Sequence, residues 1–172
     1  MLDRQGVLWI AVFLILSFPG LTSPVSAGDD LYSSVSEGFA WSADLAADSE
    51  LGVVEIFQSG YAQQAFIQQQ GGDQRARIHQ EQAENTASIR QEGGGNQAEI
   101  LQSGEANLAE CSQTGYGNWV SVDQVGRSNS AMLIQNGDFN QVELHQFGSG
   151  NSYTLTQTGL GMQARVTQTS LW

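Results

Sequence analysis

The sequence predicts an all-β chain wound into a β-solenoid, and three observations predict it. From residue 58 a glutamine falls at every eleventh position: Gln58, Gln69, Gln80, Gln91, Gln102, Gln113, Gln124, Gln135, Gln146, Gln157 and Gln168. Between consecutive glutamines, fixed positions alternate with variable ones at period two, the period of a strand. The chain also holds 21 Gln and 8 Asn among 172 residues, against 24 charged residues (6 Lys+Arg, 18 Asp+Glu). Side-chain amides in such excess suit identical residues stacked upon one another.

The chain divides into three segments. Residues 1–27 read as a secretory signal peptide. Arg4 supplies the positive start, Val7 to Leu16 an apolar run, and Val25-Ser26-Ala27 a small-x-small cleavage site between Ala27 and Gly28. A membrane span needs about 20 apolar residues, more than this run offers. Residues 28–51 form an acidic leader for secretion targeting, with Asp29, Asp30, Glu37, Asp44, Asp48 and Glu50 and no base. Its apolar residues, among them Leu31, Phe39, Trp41 and Leu45, allow a short amphipathic helix or a flexible segment. Residues 52–172 are the repeat domain.

Each repeat unit has one internal logic. Two residues after the glutamine stands Gly in nine of ten units, with Gln82 the exception. Five after stands Asn85, Asn96, Asn107, Asn118, Asn129, Asn140 or Asn151, with Gln63 and Gln74 in the first two units and Met162 in the last. Seven after is Ala in most units, and nine after is Ile, Val, Leu or Cys111. Offsets 5, 7, 9 and 11 share one parity, so these side chains point to one face of a strand. An eleven-residue repeat can also mark a right-handed helical coiled coil, but a glycine in every unit and the period-two alternation oppose it. The stretch from Gln to Asn is then the turn, with Gly where the strand reverses. Two strands close a coil of 22 residues, and ten units make about five coils. Alternate glutamines stack in opposite sheets, giving amyloid-like Gln/Asn ladders in which each amide donates to one neighbour and accepts from another.

Composition narrows the function. A net charge of −12 with no lysine opposes nucleic-acid binding, which needs clustered cations. One cysteine, Cys111, permits no intramolecular disulfide and no multi-cysteine metal site; in an aliphatic slot it reads as a small buried hydrophobe. His79 and His145 lie on outward faces three coils apart, too distant for a shared metal. Scattered acids such as Glu81, Glu84, Glu99, Glu105, Glu110 and Asp123 form no paired-carboxylate site and read as aggregation gatekeepers. Outward Phe57, Phe66, Trp119, Phe139 and Phe147 read as lateral contacts or strand formers. No catalytic residue, metal, cofactor or small-molecule substrate is expected, and the chain does not read as an enzyme.

The Gln-x-Gly-x-x-Asn unit resembles the curlin repeat of bacterial curli fibres over about residues 28–172. The leader Gly28-Asp29-Asp30-Leu31, with Phe39-Ala40 and Leu45, and the ending Ala164-Arg165-Val166-Thr167-Gln168 resemble the minor, nucleating subunit of that family. The resemblance implies a cell-surface functional amyloid of a Gram-negative bacterium, part of a fimbrium and of biofilm adhesion. It implies export through an outer-membrane secretion pore with accessory proteins. It also implies nucleated polymerisation of the major curlin subunit, with self-association. The alternatives are a major fibre-forming subunit and a monomeric binding solenoid or adhesin. Both ends of the solenoid are expected to present open strand edges. The front coils near Val53 to Gln80 should be the competent template. The last unit, with Met162 for Asn and an apolar Leu171-Trp172 terminus, should dock elsewhere.

Overall fold

The structure, a computed structural model, describes residues 9–15, 39–43 and 52–171. The repeat domain forms eleven strands that alternate between two sheets. One sheet holds β3 (Val53–Tyr61), β5 (Arg75–Ala83), β7 (Gln97–Glu105), β9 (Trp119–Arg127), β11 (Gln141–Ser149) and β13 (Gln163–Thr169). The other holds β4 (Gln64–Gly72), β6 (Thr86–Gly94), β8 (Leu108–Tyr116), β10 (Ser130–Asp138) and β12 (Ser152–Leu160). Every pairing among these strands is parallel with a 22-residue offset, so that Gln80 meets Gln102 and Gln102 meets Gln124. Residues 58–168 contain no helix. The fold is the β-solenoid of 22-residue coils, about five in number, that the eleven-residue register predicts.

Parity places the core between the sheets. Ala76, Ile78, Ala87, Ile89, Ala98, Ile100, Val120, Val122, Leu133 and Leu144 are all fully buried. Small Ala alternates with a larger aliphatic along each strand, a pattern that suits close packing between two facing sheets. Cys111 takes the Ile slot of its strand and is buried. Its neighbours in register are Ile89 and Leu133.

The turn is tighter than the sequence implies. The ladder runs through the glycine at offset 2: Gly104 pairs with Gly126 inside β7 and β9. Two residues then connect the strands, as Ala106 and Asn107 join β7 to β8. Glycine is favoured at offset 2 on two grounds, and the one other residue there, Gln82, adopts a φ of 79°. Gly104 has φ of 116°, and a Cβ there would lie 2.0 Å from the carbonyl oxygen of Gly126 in the next coil. The residue at offset 4 also has positive φ, whether it is Gly117 (64°), Ala106 (54°), Ser128 (53°) or Phe139 (55°). This second left-handed position escapes sequence reading, because it is Gly in only four units: Gly95, Gly117, Gly150 and Gly161.

The front of the solenoid differs from expectation. β2 (Phe39–Ala43) runs antiparallel along β3, pairing Trp41 with Ile56. β1 (Trp9–Ile15) runs antiparallel along β4. The leader therefore contributes a strand at Phe39–Ala43 where a helix or a flexible segment was expected. Both front edges are occupied, whereas β12 and β13 end their sheets at the back, so the open edge stands at the last coil and not at the front coils near Val53 to Gln80 where the template was expected. Phe39 and Trp41 belong to the aromatic residues enriched in strands. The cleavage site at Ala27 and Gly28 lies outside the described residues.

Candidate functional site

The polar core is the candidate site. Gln58, Gln80, Gln102, Gln124, Gln146 and Gln168 form one column, and Gln69, Gln91, Gln113, Gln135 and Gln157 the other. Each interior glutamine donates twice through Nε2. Gln80 donates to Gln102 Oε1 at 2.8 Å and to the Gln64 carbonyl, in the opposite sheet, at 3.0 Å. Gln91 likewise reaches Gln113 Oε1 at 2.8 Å and the Arg75 carbonyl at 3.0 Å. The side chain thus ties coil to coil and sheet to sheet at once. A buried amide without such partners would be costly; here Gln80, Gln91, Gln113 and Gln124 are fully buried and satisfied.

The asparagine columns run the other way. Asn107 Nδ2 donates back to Asn85 Oδ1 at 3.0 Å and forward to the Gly126 carbonyl at 3.0 Å. Asn129 repeats this with Asn107 and Gly148, and Asn118 with Asn96 and Gly137. Asn140 reaches Asn118 and the Gly159 carbonyl, and Asn151 reaches Asn129. Gln side chains therefore donate towards the C-terminal end, and Asn side chains accept from it. The shorter Asn can reach the turn carbonyl and its own predecessor together, which explains its place at the connection.

Gln63 and Gln74 fill the Asn slot of the first two units. Both are buried, and their Oε1 atoms find no hydrogen-bond partner. The extra methylene carries the acceptor away from Asn85 and Asn96. Gln58 and Gln69 also have orphan Oε1 atoms, because no glutamine lies in front of them to donate. Among the described residues, all four orphan acceptors lie in the first two units.

The outward faces carry conventional surface chemistry. Arg77 lies between Glu55 (2.6 Å) and Glu99 (3.2 Å). Arg165 joins Glu143 at 2.7 Å, and this bond, with the His145 bond, holds the Glu143 carboxyl below its ordinary pKa. His145 lies 2.9 Å from Glu143 and 3.6 Å from Asp123. His79 packs edge-on against Phe57, with ring centres 4.4 Å apart. Among the described residues no three His, Cys, Asp or Glu side chains gather at metal-binding distance. Phe139 lies in a turn rather than on a strand face, its ring over Gly117. Burial pushes the Cys111 thiol up to about 12, so the reactive thiolate is suppressed.

A parallel solenoid with continuous Gln and Asn ladders through its core belongs to the structural, amyloid-type class of repeat proteins. The curlin associated repeat matches the chain three times, at residues 83–115, 104–135 and 126–159. The chain is a curlin-repeat protein. Comparison with curated proteins and with solved structures finds no match.

Proposed function

We propose that this chain is the minor curli subunit, which nucleates polymerisation of the major curlin at the surface of a Gram-negative bacterium. Export would proceed through the outer-membrane curli pore with its accessory proteins, and the role is structural. One observation carries the reading. The coil of β12 and β13 ends in half-used amides above an apolar floor of half-buried Tyr153, Leu155, Ala164 and Val166. Such an edge offers backbone, amide and apolar partners in one fixed register, and an incoming chain meets a preformed template. The leader and C-terminal resemblances favour the minor over the major subunit.

Seeding tests it. A trace of this protein added to a monomeric major curlin should abolish the lag of thioflavin-detected assembly. An unchanged lag, with this protein forming fibres alone, would assign it as a major subunit. Failure of both would leave the monomeric adhesin.

A further inference from the structure

We infer that a second copy of this chain docks head to tail on the β12–β13 end, turned by half a turn about the solenoid axis. The inference rests on the assembly reading above and adds the polarity and register of the contact.

The amide columns supply the polarity. Every interior glutamine donates both to a neighbouring glutamine and to a carbonyl across the sheets. Gln157 and Gln168 make only the second of these bonds, to the Gln141 and Ser152 carbonyls at 3.1 Å each. Two glutamine donors at the back are thus half used. At the front, the Oε1 atoms of Gln58 and Gln69 have no donor, although both residues are buried. Two donors meet two acceptors, and only a back-to-front contact joins them. Two fronts would oppose acceptor to acceptor, and two backs donor to donor.

The half-turn follows from strand number. β3 to β13 are eleven strands, an odd number, so the first and the last lie in the same sheet. The next strand along the coil path must land on β12, in the other sheet. Hence β3 of the incoming copy pairs with β12, and its β4 pairs with β13. Gln157 then donates to the incoming Gln58, and Gln168 to the incoming Gln69. Without the half-turn, β3 would sit on β13, and β12 would face a gap one strand wide. The alternating charges along one face favour that second register, since Glu55 would then neighbour Arg165. Arg165 already has Glu143, and an exposed ion pair contributes little. A strand length of unpaired buried backbone costs far more.

The front edge is occupied in the monomer, but weakly. β2 pairs with only five of the nine residues of β3, and β1 lies within the segment expected to be removed as a signal peptide. A nine-residue β12 offers β3 a longer partner in parallel register. The leader strand is therefore a placeholder that the back end of another copy displaces.

Cysteine pairing tests the register. In a Cys111→Val background, one batch carries Glu55→Cys and a second carries either Thr154→Cys or Arg165→Cys. Glu55 stands three residues before Gln58, as Thr154 stands before Gln157 and Arg165 before Gln168. Neighbouring Cα atoms in paired strands lie within disulfide reach. Mixed assemblies of the Glu55→Cys and Thr154→Cys batches should oxidise to dimers. Dimers from the Arg165→Cys mixture instead would overturn the half-turn, and assemblies without dimers in either mixture would overturn the head-to-tail contact. Cryo-electron microscopy of the cysteine-free assembly gives an independent reading. Eleven strands at half of ~4.8 Å each predict a subunit rise of ~26 Å with a half-turn. A chain that never assembles, alone or with a major subunit, would overturn both the function and this contact. Assembly with another register overturns the contact alone.

Discussion

Asn107 rests on Asn85 through two hydrogen bonds to a single oxygen: its backbone N–H at 3.1 Å and its Nδ2 at 3.0 Å both reach Asn85 Oδ1. The same pair recurs between Asn129 and Asn107 and between Asn118 and Asn96. In the first two units, where Gln63 and Gln74 replace Asn, the acceptor oxygen is buried and unpaired. Gln63→Asn and Gln74→Asn should therefore stabilise the solenoid. Each would place an oxygen where Asn85 or Asn96 can donate to it. Relief of a buried orphan is worth about 1–3 kcal/mol. A higher denaturant midpoint for each variant is the expected result. An unchanged midpoint would mean that the longer side chain is satisfied by other means.

Ladder residues should outweigh their outward neighbours by a wide margin. Gln102 accepts from Gln80 at 2.8 Å, and donates to the Thr86 carbonyl at 3.0 Å and to Gln124 Oε1 at 2.9 Å. Gln102→Ala removes all three bonds and strands Gln124 Oε1 in the core. The loss should reach roughly 3 kcal/mol or more and slow assembly. Asn107→Ala should behave similarly. Glu99→Ser breaks only an exposed contact with Arg77, which keeps Glu55 at 2.6 Å, so its cost should be under about 0.5 kcal/mol. Unfolding midpoints and assembly half-times of the three variants, measured side by side, would refute the ranking if they coincided.

Why was so much of this fold legible in the sequence? Positions 85, 87, 89 and 91 show the reason. All four must point inward in every coil, so Asn, Ala, Ile and Gln recur with one parity, and period two becomes visible. The features that escaped have no such repetition. Positive φ at offset 4 is satisfied by Ala106, Ser128 or Phe139 as well as by glycine, so no residue type marks it. The strand at Phe39–Ala43 pairs with β3 only, and a single edge partner imposes no periodic pattern. The opposite directions of the Gln and Asn columns depend on which amide atom faces which neighbour. That is a property of geometry, invisible in residue identity.

The offset-2 glycines of the interior coils should tolerate substitution poorly, although Gln82 holds that position in its own unit at a φ of 79°. A Cβ at Gly104 would lie 2.0 Å from the Gly126 carbonyl oxygen, at a φ of 116° that L side chains avoid. Backbone, not a flexible side chain, is the obstacle, so relief requires the coils to separate. Gly104→Ala should cost more than the ~1–3 kcal/mol of an ordinary strained residue, and assembly should fail or be delayed severely. Gly159→Ala is the control: φ is 134°, but the nearest atom is Met162 Sδ at 3.9 Å, with no coil beyond it. Its effect on monomer stability should be the smaller of the two. Equal losses would show that backbone strain, rather than contact with the next coil, governs the column.

Cys111 should make stability fall at high pH. Its thiol titrates at about 12 in the folded chain against an ordinary value of 9.0, because burial disfavours the thiolate. Between these values the folded state holds a proton that the unfolded state has released, so unfolding becomes more favourable as pH rises. The contribution is complete below pH 9, is lost progressively above it, and is gone near pH 12. Within that window the slope approaches ~1.4 kcal/mol per pH unit for a single group. The informative quantity is a difference between two chains. Unfolding midpoints of the natural chain and of Cys111→Val should change in parallel below pH 9 and diverge above it, with the valine variant losing less. Alkylation gives a second readout: the folded chain should resist iodoacetamide at pH 8 and react after denaturation. Parallel curves up to pH 12, together with rapid labelling of the folded chain, would place the thiol at the surface and contradict its position in the aliphatic column between Ile89 and Leu133.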